Sequence, residues 1–426
     1  MLLEIGSSVV MAGIAGVAYL KSSGNIGTND KEKIEKIFVN AGWVKREGEI
    51  RIQRRQKIDG GMEYVFQTPL GFDRKKIENN RHVLEDGLNI RHKFMEFDPR
   101  DILKIKWDRT AIKQIKKILT SKKIARKEID VDFDGMLKIR VYDKPMSNDI
   151  KWHESQLNPG KWSVTLGLTR EKNITHDFDK YKHLIIAGST GYGKSAVLKL
   201  IIMSLLLQQS ENAHFHLIDL KGGSAFKRFE NLKQVDHFTH DPKEAKDILK
   251  EIRDQMDREY LDIVNKGFED VIEAGIQDRH FIIIDEAADI ADDPGAMEAV
   301  IDITRKGRGA GYYLIYATQY PSSQSIPQQV KRNIPSRLCF VLDDAIASNT
   351  ALGQTGAEDL PLIPGRGIYK NIKTQVIQTP YVTNKEIEKR IGPHIVFKSR
   401  KDDQDNEQKP GKTTTDRKHS LIITKT

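Results

Sequence analysis

One stretch, HLIIAGSTGYGKSAVLKLII beginning at His183, constrains the fold of this chain more than any other. It places a glycine-rich turn, from Gly188 to Ser195, between an apolar run and a second, longer one. The turn matches the phosphate-binding pattern G-x-x-x-x-G-K-[ST], which requires a strand before it and a helix after it. Its glycines let successive backbone N–H groups converge on phosphates at a helix N-terminus. The sequence therefore predicts a nucleotide site at the end of a buried strand.

The residues expected to contact the nucleotide, ATP, form one continuous run. They are Gly188, Ser189, Thr190, Gly191, Tyr192, Gly193, Lys194, Ser195 and Ala196. Lys194 is expected to neutralise charge on the β- and γ-phosphates, and the hydroxyl of Ser195 is expected to hold Mg²⁺.

Two further apolar runs supply the remaining parts of a hydrolytic site. FIIIDEAAD delivers Asp285 and Glu286 to the edge of a sheet at which open α/β proteins bind ligands. Asp285 is assigned to the nucleotide and its Mg²⁺, and Glu286 to a water that attacks the γ-phosphate. YYLIYATQ ends at Gln319, whose amide is placed to sense that phosphate. Two adjacent acids favour hydrolysis over phosphoryl transfer to a small acceptor.

Basic residues stand immediately before two of the apolar runs. Arg305, Lys306 and Arg308 precede YYLIYATQ, and Arg337 begins RLCFVL. Most basic residues in such positions are simply solvated. An arginine supplied by a neighbouring subunit would instead stabilise transition-state charge and link hydrolysis to an oligomer.

Between residues 182 and 382, short apolar runs alternate with amphipathic stretches. The runs are HLIIAG, FHLIDL, HFIIIDE, YYLIYATQ and RLCFVL. Near-continuous hydrophobicity is typical of strands that are covered on both faces. Their alternation with helical segments predicts an α/β fold with a mainly parallel sheet and helices on both sides.

Composition narrows the partners and the side-chain chemistry. The 426 residues carry a formal net charge of +9, which favours a polyanionic partner, either nucleic acid or an anionic membrane. The single cysteine, Cys339, excludes an internal disulfide and is expected to be a buried thiol. His214 lies two residues from His216, and His237 three from His240. No cysteine or carboxylate completes a metal set with them in the sequence, so zinc is not expected.

The first 150 residues have the pattern of a small α+β domain. A helical spacing of apolar residues around Ile34 is followed by two alternating runs on either side of Asp59-Gly60-Gly61, which is a hairpin signal. Residues 104–127 are then strongly basic. This stretch is either a solvated helix face or a surface that contacts phosphates or another subunit.

Residues 5–20 form an uncharged apolar run with lysines after it. The run is slightly shorter than the roughly 17 to 25 residues that span a bilayer. A signal peptide carries its positive charge before the apolar core, not after it. We expect a short anchor that leaves the body of the protein at the cytoplasmic face of the cell membrane. A buried or interfacial helix is the alternative.

Six segments together carry a more specific resemblance. In chain order they are HLIIAGSTGYGKS, LIDLKGG, IIIDEAAD, RKGRGAGYYLIYATQYP, NIPSRLCF and LGQTGAEDLPLIPGRGIY. In this order and spacing they resemble the motor domain of FtsK/SpoIIIE-type DNA translocases, over roughly residues 182–382. The resemblance implies a RecA-like P-loop fold, a homohexameric ring, and ATP-driven movement of double-stranded DNA through the central pore.

The same resemblance assigns roles to individual residues. Those that take the family's nucleotide roles by position are Lys194, Ser195, Asp285, Glu286 and Gln319. Arg308 matches the arginine of the family's alanine-rich ARAAG segment and is the first choice for a residue that acts across the subunit boundary. Arg337 is the second choice.

The chain also departs from the chromosome translocases of this family. Those proteins carry a long multi-span membrane region and a C-terminal winged-helix module that reads DNA polarity, and the residues after 382 are too few and too polar for such a module. The compact plan is similar to the coupling proteins of Gram-positive conjugative plasmids and integrative elements, which bring relaxase-bound DNA to a secretion channel. The predicted function is therefore a coupling ATPase, with a relaxase and secretion-channel components as partners. The alternatives are a chromosome or phage DNA translocase and a protein-export ATPase with a related motor.

The expected organisation follows from these patterns. It comprises a short apolar segment (1–21), a linker (22–31), a small α+β domain with its basic stretch (32–150), a connector (151–181), the RecA-like motor (182–397) and a disordered charged tail (398–426).

Overall fold

The structure is a computed structural model, and its contacts divide the chain into two compact units. One unit comprises residues 1–148 with 169–172, and the other comprises 149–168 with 173–426. The residues that the structure describes are 30–46, 49–73, 76–77, 80–89 and 127–396. The apolar segment 5–20, nearly all of the linker and the basic stretch, and the charged tail lie outside these ranges. Within them, no helix has the length and apolar character needed to cross a bilayer.

The first unit is a four-stranded antiparallel sheet packed against two helices. Its elements are α1 (Asp30–Asn40), β1 (Arg51–Ile58), β2 (Gly61–Gln67), α2 (Arg81–Asn89), β3 (Glu128–Asp134) and β4 (Met136–Tyr142). The strands lie in the order β1-β2-β4-β3. The hairpin expected at Asp59-Gly60-Gly61 is present, with Ile58 paired to Gly61 across the turn. Gly60 has a φ of +70°, a conformation that glycine adopts without steric cost.

The core of this unit follows helical and strand periodicities. Ile34 and Phe38 are four residues apart on α1, and Leu84 and Leu88 are four apart on α2, so each pair lies on one face. All four side chains are buried in one cluster with inward residues of the sheet. Lys127 belongs to the predicted basic stretch but is buried, with its ammonium 2.5 Å from a carboxylate oxygen of Asp30. Lys127 is therefore neither solvated nor available to a phosphate.

The second unit is built on a sheet of ten strands. Its strands are β5 (Ser163–Leu168), β6 (Asn173–Asp177), β7 (Leu184–Ala187), β8 (Ala213–Asp219), β9 (Val235–Thr239), β10 (Arg279–Asp285), β11 (Tyr312–Thr318), β12 (Arg337–Phe340), β13 (Arg366–Lys370) and β14 (Thr374–Gln378). They lie in the order β6-β5-β14-β13-β12-β7-β11-β10-β8-β9. Its helices are α3 (Phe178–Tyr181), α4 (Lys194–Gln208), α5 (Pro242–Asn265), α6 (Pro294–Ala310), α7 (Gln328–Asn333), α8 (Ala345–Leu352) and α9 (Asn384–Ile391).

The sheet has a parallel part and an antiparallel part. The strands from β12 to β9 pair in parallel, which confirms the predicted α/β fold with a mainly parallel sheet. The strands from β12 back to β6 pair antiparallel. Residues 151–181, expected as a connector, contribute β5 and β6 to this antiparallel part.

Two apolar cores cover the two faces of the sheet. One contains most of α4, which is apolar around nearly its whole circumference because it packs against the sheet and against α9. The other contains the inward faces of α5 and α6. Cys339 is a buried thiol in β12, as expected from its apolar run. The sheet is therefore covered on both faces, as the continuous apolar strands require.

Aromatic side chains join the parallel strands to the segment that precedes them. The ring of Phe281 on β10 lies 5.5 Å from that of Trp162 and 5.3 Å from that of Phe178, measured between centroids. Phe215 and Tyr313 on the flanking strands lie 5.9 and 5.8 Å from it. Phe281 is fully buried at the centre of this group.

Truncating Phe281 tests this group. We expect Phe281→Ala to lower the free energy of unfolding of the second unit by about 3–5 kcal/mol, because the lost contacts leave a cavity among rigid rings. Chemical denaturation followed by tryptophan fluorescence measures the change. Phe268→Ala removes a partly exposed ring as a matched control and should change the free energy by about 0.5 kcal/mol or less. Equal effects of the two substitutions would contradict this account of the core.

Candidate active site

The phosphate-binding loop connects the end of β7 to the start of α4. A Cβ at Gly188 would lie 2.6 Å from the Cβ of Phe340, so the loop can pass β12 only with glycine there. Gly193 has a φ of +122°, and a Cβ on it would lie 3.2 Å from the Cα of Gly365. Close approach and backbone conformation therefore require glycine at these two positions, independently of any ligand.

Backbone hydrogen bonds hold the loop in place from two sides. The N–H of Ser189 donates to the carbonyl of Val341 at 2.9 Å, and its hydroxyl lies 3.0 Å from a carboxylate oxygen of Asp343. The N–H of Gly365 donates to the carbonyl of Tyr192 at 2.9 Å. The loop is thus anchored to segments after β12 and before β13, which leaves its own N–H groups at the start of α4 for an anion.

Lys194 and Ser195 begin α4 and face the end of β10. The ammonium of Lys194 forms an ion pair with Asp285 and lies 3.7 Å from Oε2 of Glu286. The hydroxyl of Ser195 lies 3.4 Å from Oδ2 of Asp285. Lys194 and Asp285 are both buried, so each charge depends on its partner.

Glu286 has an unusual backbone and a half-satisfied carboxylate. Its φ of 66° and ψ of 57° are left-handed, which is uncommon for a residue with a side chain. Its Oε1 accepts hydrogen bonds from the hydroxyl of Thr318 at 3.0 Å and from the N–H of Gln319 at 3.1 Å. Its Oε2 is buried and has no hydrogen-bond partner among the described residues. One oxygen therefore orients the carboxylate, and the other is available to a water.

Gln319 connects the end of β11 to the phosphate-binding loop. Its Oε1 accepts a hydrogen bond from the hydroxyl of Thr190 at 2.5 Å. Its backbone N–H donates to Glu286, as described above. Gln319 is buried and contacts both the loop and Glu286, so it connects the two.

The same charges act on neighbouring side chains. Partial desolvation of its carboxylate, and secondarily the charge of Glu286, raises the pKa of Asp289. Burial lowers the pKa of Lys199 on α4, although the nearby carboxylates of Asp219 and Asp285 oppose the shift. The carboxylates at this edge of the sheet therefore act on a half-buried lysine and on a neighbouring acid.

The side chains present fit ATP with Mg²⁺. Ser195 and Asp285 supply hydroxyl and carboxylate oxygens, the donors that Mg²⁺ prefers. Oε2 of Glu286, which accepts no hydrogen bond from the described residues, and the buried ammonium of Lys194 have the chemistry of a base and of a phosphate partner. When bound, Mg²⁺ neutralises charge on the phosphates, and Ser195 and Asp285 are the residues that would hold it.

Comparison with known proteins agrees with this geometry. Residues 146–281 match the model of the FtsK/SpoIIIE family. This segment, which contains the phosphate-binding loop, is therefore similar to the FtsK/SpoIIIE family. The DNA translocase FtsK of Tropheryma whipplei is 28% identical over 54% of this chain and 34% of its own length. The chain thus spans about a third of the length of the curated relatives it matches.

Two solved structures share the fold of this ATPase domain. The conjugation coupling protein TcpA of pCW3, in a monomer form with ATPgS, aligns with a TM-score of 0.55 and 21% identity. That alignment covers 86% of this chain and 99% of TcpA. The cytoplasmic domain of the type VII secretion ATPase EccC of Thermomonospora curvata aligns with a TM-score of 0.50 and 21% identity, over 57% of this chain and 32% of EccC.

The two arginines considered for action across a subunit boundary occupy different environments. Arg337 is buried, and its guanidinium donates to the carbonyls of Lys331 at 2.8 Å and Ala351 at 3.2 Å. Arg308 is exposed in the last turn of α6, next to the start of β11. The seven residues of β11 separate that edge from the phosphate-binding edge by about 20 Å. Arg337 is thus engaged within its own chain, while Arg308 faces away from its own nucleotide site.

Sequence reasoning assigned no role to Asp219 in the segment LIDLKGG. Asp219 ends β8 and lies in register with Asp285 on the adjacent β10. Its Oδ2 accepts hydrogen bonds from the N–H groups of Ala225 at 2.7 Å and Phe226 at 3.1 Å. Its Oδ1 is buried without a hydrogen-bond partner in the part of the chain that the structure covers. An acid at the end of an apolar run, as at Asp285, was the signal that identifies it.

Replacing Glu286 separates binding from hydrolysis in the ATPase domain. Glu286→Gln keeps the shape and an oxygen for Thr318 but removes the base, so we expect ATP turnover to fall at least about 100-fold. Binding of a fluorescent ATP analogue should persist. Asp289→Asn changes an exposed acid three residues away and should leave turnover close to that of the native chain. A Glu286→Gln protein with native turnover would remove Glu286 from the mechanism.

Proposed function

We propose that this chain is an ATP-driven motor for double-stranded DNA and serves as the coupling ATPase that delivers relaxase-bound DNA to a conjugative secretion channel. The observation that carries the proposal is the extent of the fold match with a conjugation coupling protein, 99% of that protein and 86% of this chain. At that coverage the match extends beyond residues 146–281, the segment that matches the FtsK/SpoIIIE family model. At 21% identity the likeness is one of fold, so the activity is tested below.

The contacts of the site suggest how hydrolysis proceeds. Lys194 stabilises negative charge on the phosphates, and Oε2 of Glu286 takes a proton from the attacking water. Thr318 and the N–H of Gln319 hold the other oxygen of Glu286 and fix its direction. The hydrogen bond between Thr190 and Gln319 ties the end of β11 to the loop that cradles the phosphates.

The segment after Gln319 links the site to a surface. The hydroxyl of Tyr316 on β11 donates to the carbonyl of Ser325 at 2.6 Å, which fastens the segment to the strand. The segment continues into α7, where Arg332 is exposed and Lys331 donates to the carbonyl of Asn349 at 2.8 Å. We assign Arg332 to a phosphate of the DNA backbone. A change at the γ-phosphate thereby reaches the DNA through Gln319.

The proposed assembly is a homohexameric ring at the cytoplasmic face of the cell membrane. Arg308 is exposed and far from its own nucleotide site, as an arginine that completes a neighbour's site must be. The apolar residues 5–20, which lie outside the described ranges, are the proposed membrane contact. The relaxase and the secretion channel are the proposed partners.

Two other functions have specific support. The curated relatives are DNA translocases named FtsK, which favours a chromosome or phage DNA motor. The secretion ATPase EccC shares the fold of the ATPase domain, which favours protein export. The three functions differ in their cargo, so the stimulating polymer and the process that fails in a mutant distinguish them.

DNA-dependent turnover is the direct test of the motor. We expect double-stranded DNA to stimulate ATP turnover of the full chain, and the stimulation to fall steeply with salt because phosphate contacts release counterions. Arg332→Gln should reduce the slope of log affinity against log salt by about one, whereas Arg305→Gln, an exposed arginine on α6, should not. ATP turnover that does not respond to DNA but rises with a secreted polypeptide would favour protein export.

A transfer assay then separates conjugation from the other DNA functions. Lys194→Ala, introduced into the element that encodes the chain, should abolish transfer of that element. Loss of chromosome segregation or phage replication, with normal transfer of the element, would favour a chromosome or phage DNA motor over conjugative coupling.

Mixing two inactive variants tests the action of Arg308 across the boundary. Arg308→Ala should lose about 10³-fold or more of the native turnover because it removes transition-state stabilisation. Glu286→Gln should lose at least about 100-fold because it removes the base. A mixture of the two should regain turnover, because some boundaries pair an intact Glu286 with an intact Arg308. Arg305→Ala, which disrupts only an ion pair with Asp302, serves as the control and should remain active. A mixture that stays inactive would argue against action of Arg308 in the nucleotide site of a neighbouring subunit.

A further inference from the structure

A cluster of histidines lies at the opposite edge of the sheet from the nucleotide site. His214 and His216 are on β8, His280 is on β10, and His237 is on β9. His214 lies in register with His280, and His216 with His237, so neighbouring strands bring them together. His280 is five residues before Asp285 on β10, or about 16 Å along the strand. The cluster is therefore separate from the residues that handle ATP.

A carboxylate completes this cluster. One ligand atom from each of His214, Asp236 and His280 lies within 4.8 Å of the others. Nδ1 of His214 is 3.1 Å from Oδ2 of Asp236, and Nε2 of His216 is 3.2 Å from Nδ1 of His280 and 4.0 Å from that same Oδ2. Ligand atoms on one tetrahedral zinc ion, with bonds of about 2.0–2.1 Å, are about 3.3 Å apart. The expectation that no carboxylate joins these histidines was wrong, because β9 pairs with β8 and carries Asp236 beside them.

We propose that His214, His216, Asp236 and His280 form a binding site for one Zn²⁺ ion, or for a transition-metal ion of similar preference. Three imidazoles and one carboxylate are a recognised donor set for tetrahedral zinc. Imidazole nitrogen does not suit Mg²⁺, which prefers oxygen, so the two ends of the sheet would select different metals. The ion would join three neighbouring strands.

The second ring nitrogen of each histidine ligand supports the proposal. Metal-bound imidazoles almost always use their other nitrogen to contact a carboxylate, a carbonyl or water. Nε2 of His214 is 3.7 Å from Asp278, and Nε2 of His280 is 4.0 Å from Glu259. Nδ1 of His216 is 2.8 Å from Nδ1 of His237. Two of the three ligands therefore have a carboxylate near the second nitrogen, and His216 has a hydrogen bond with His237 there.

The site has an entrance and a charge that suit a cation. A cleft of about 480 Å³ is lined by His214, His280, Asp278, Glu259 and Arg258, among others. The side chains of His214 and Asp236 are 34% and 36% exposed, whereas His216 and His280 are buried. Carboxylates outnumber the arginine in these surroundings. His214 and Asp236 can therefore contact an incoming ion at the surface, and His216 and His280 can bind it from the buried side.

Metal titration of the full, untagged chain tests the site. After treatment with a chelator, the protein should bind one equivalent of Co²⁺ per chain with the visible absorption of tetrahedral cobalt, and Zn²⁺ should displace it. His214→Ala and Asp236→Asn change partly exposed ligands, so both proteins should fold yet bind the metal at least about tenfold more weakly. His240→Ala removes an exposed histidine outside the site and should bind as the native chain does.

Thermal unfolding provides a readout that is independent of ATP turnover. Zn²⁺ should raise the Tm of the native chain and of Lys194→Ala, but not that of Asp236→Asn, because a ligand stabilises only the state that binds it. Failure to bind Co²⁺ or Zn²⁺ in the native chain would overturn the proposal. Binding by His214→Ala and Asp236→Asn as tight as that of the native chain would also overturn it. Neither result bears on the DNA motor, since Lys194 belongs to the other edge of the sheet.

Discussion

The buried group of Lys194, Asp285 and Glu286 is the interaction on which the active edge of the sheet depends. Removing a charged group from water costs several kcal/mol, and a buried lysine is stable only with an acid beside it. Lys194 follows β7, whereas Asp285 and Glu286 come from the end of β10, and β11 lies between these strands. The parallel register therefore has to bring the ends of all three strands to one level. Without it, the charges would be unpaired.

That strand order also explains the position of Thr318 and Gln319. Because β11 lies between β7 and β10, its last residues emerge between the phosphate-binding loop and the two acids. Thr318 and Gln319 can then contact Glu286 on one side, while Gln319 accepts from Thr190 on the other. The left-handed backbone of Glu286 turns its carboxylate toward these donors. Glu286 and Gln319, the proposed base and phosphate sensor, are thus joined directly by the hydrogen bond from the Gln319 N–H.

One geometric rule explains why acids collect at one edge of the sheet and histidines near the other. Parallel strands in register place equivalent residues side by side, so acids gather at the carboxyl edge and histidines gather near the amino edge. At the first edge, hydroxyl and carboxylate oxygens face a backbone that binds phosphate. At the second edge lie the stacked rings of His214, His280 and Tyr312. Apolar side chains occupy the rest of the same face of the sheet.

The sequence alone determined the parts that depend on local pattern. The phosphate-binding loop, the acids at the end of FIIIDEAAD, the parallel sheet and the hairpin at Gly60 follow from periodicity and from glycine conformation. Only the tertiary structure decided which strands are neighbours, and that choice is made by packing between residues far apart in the chain. It buried Lys127 and Arg337, added β5 and β6 to the sheet, and placed Asp219 beside Asp285. It also brought Asp236 to histidines from two other strands, a contact that no spacing along the chain could express.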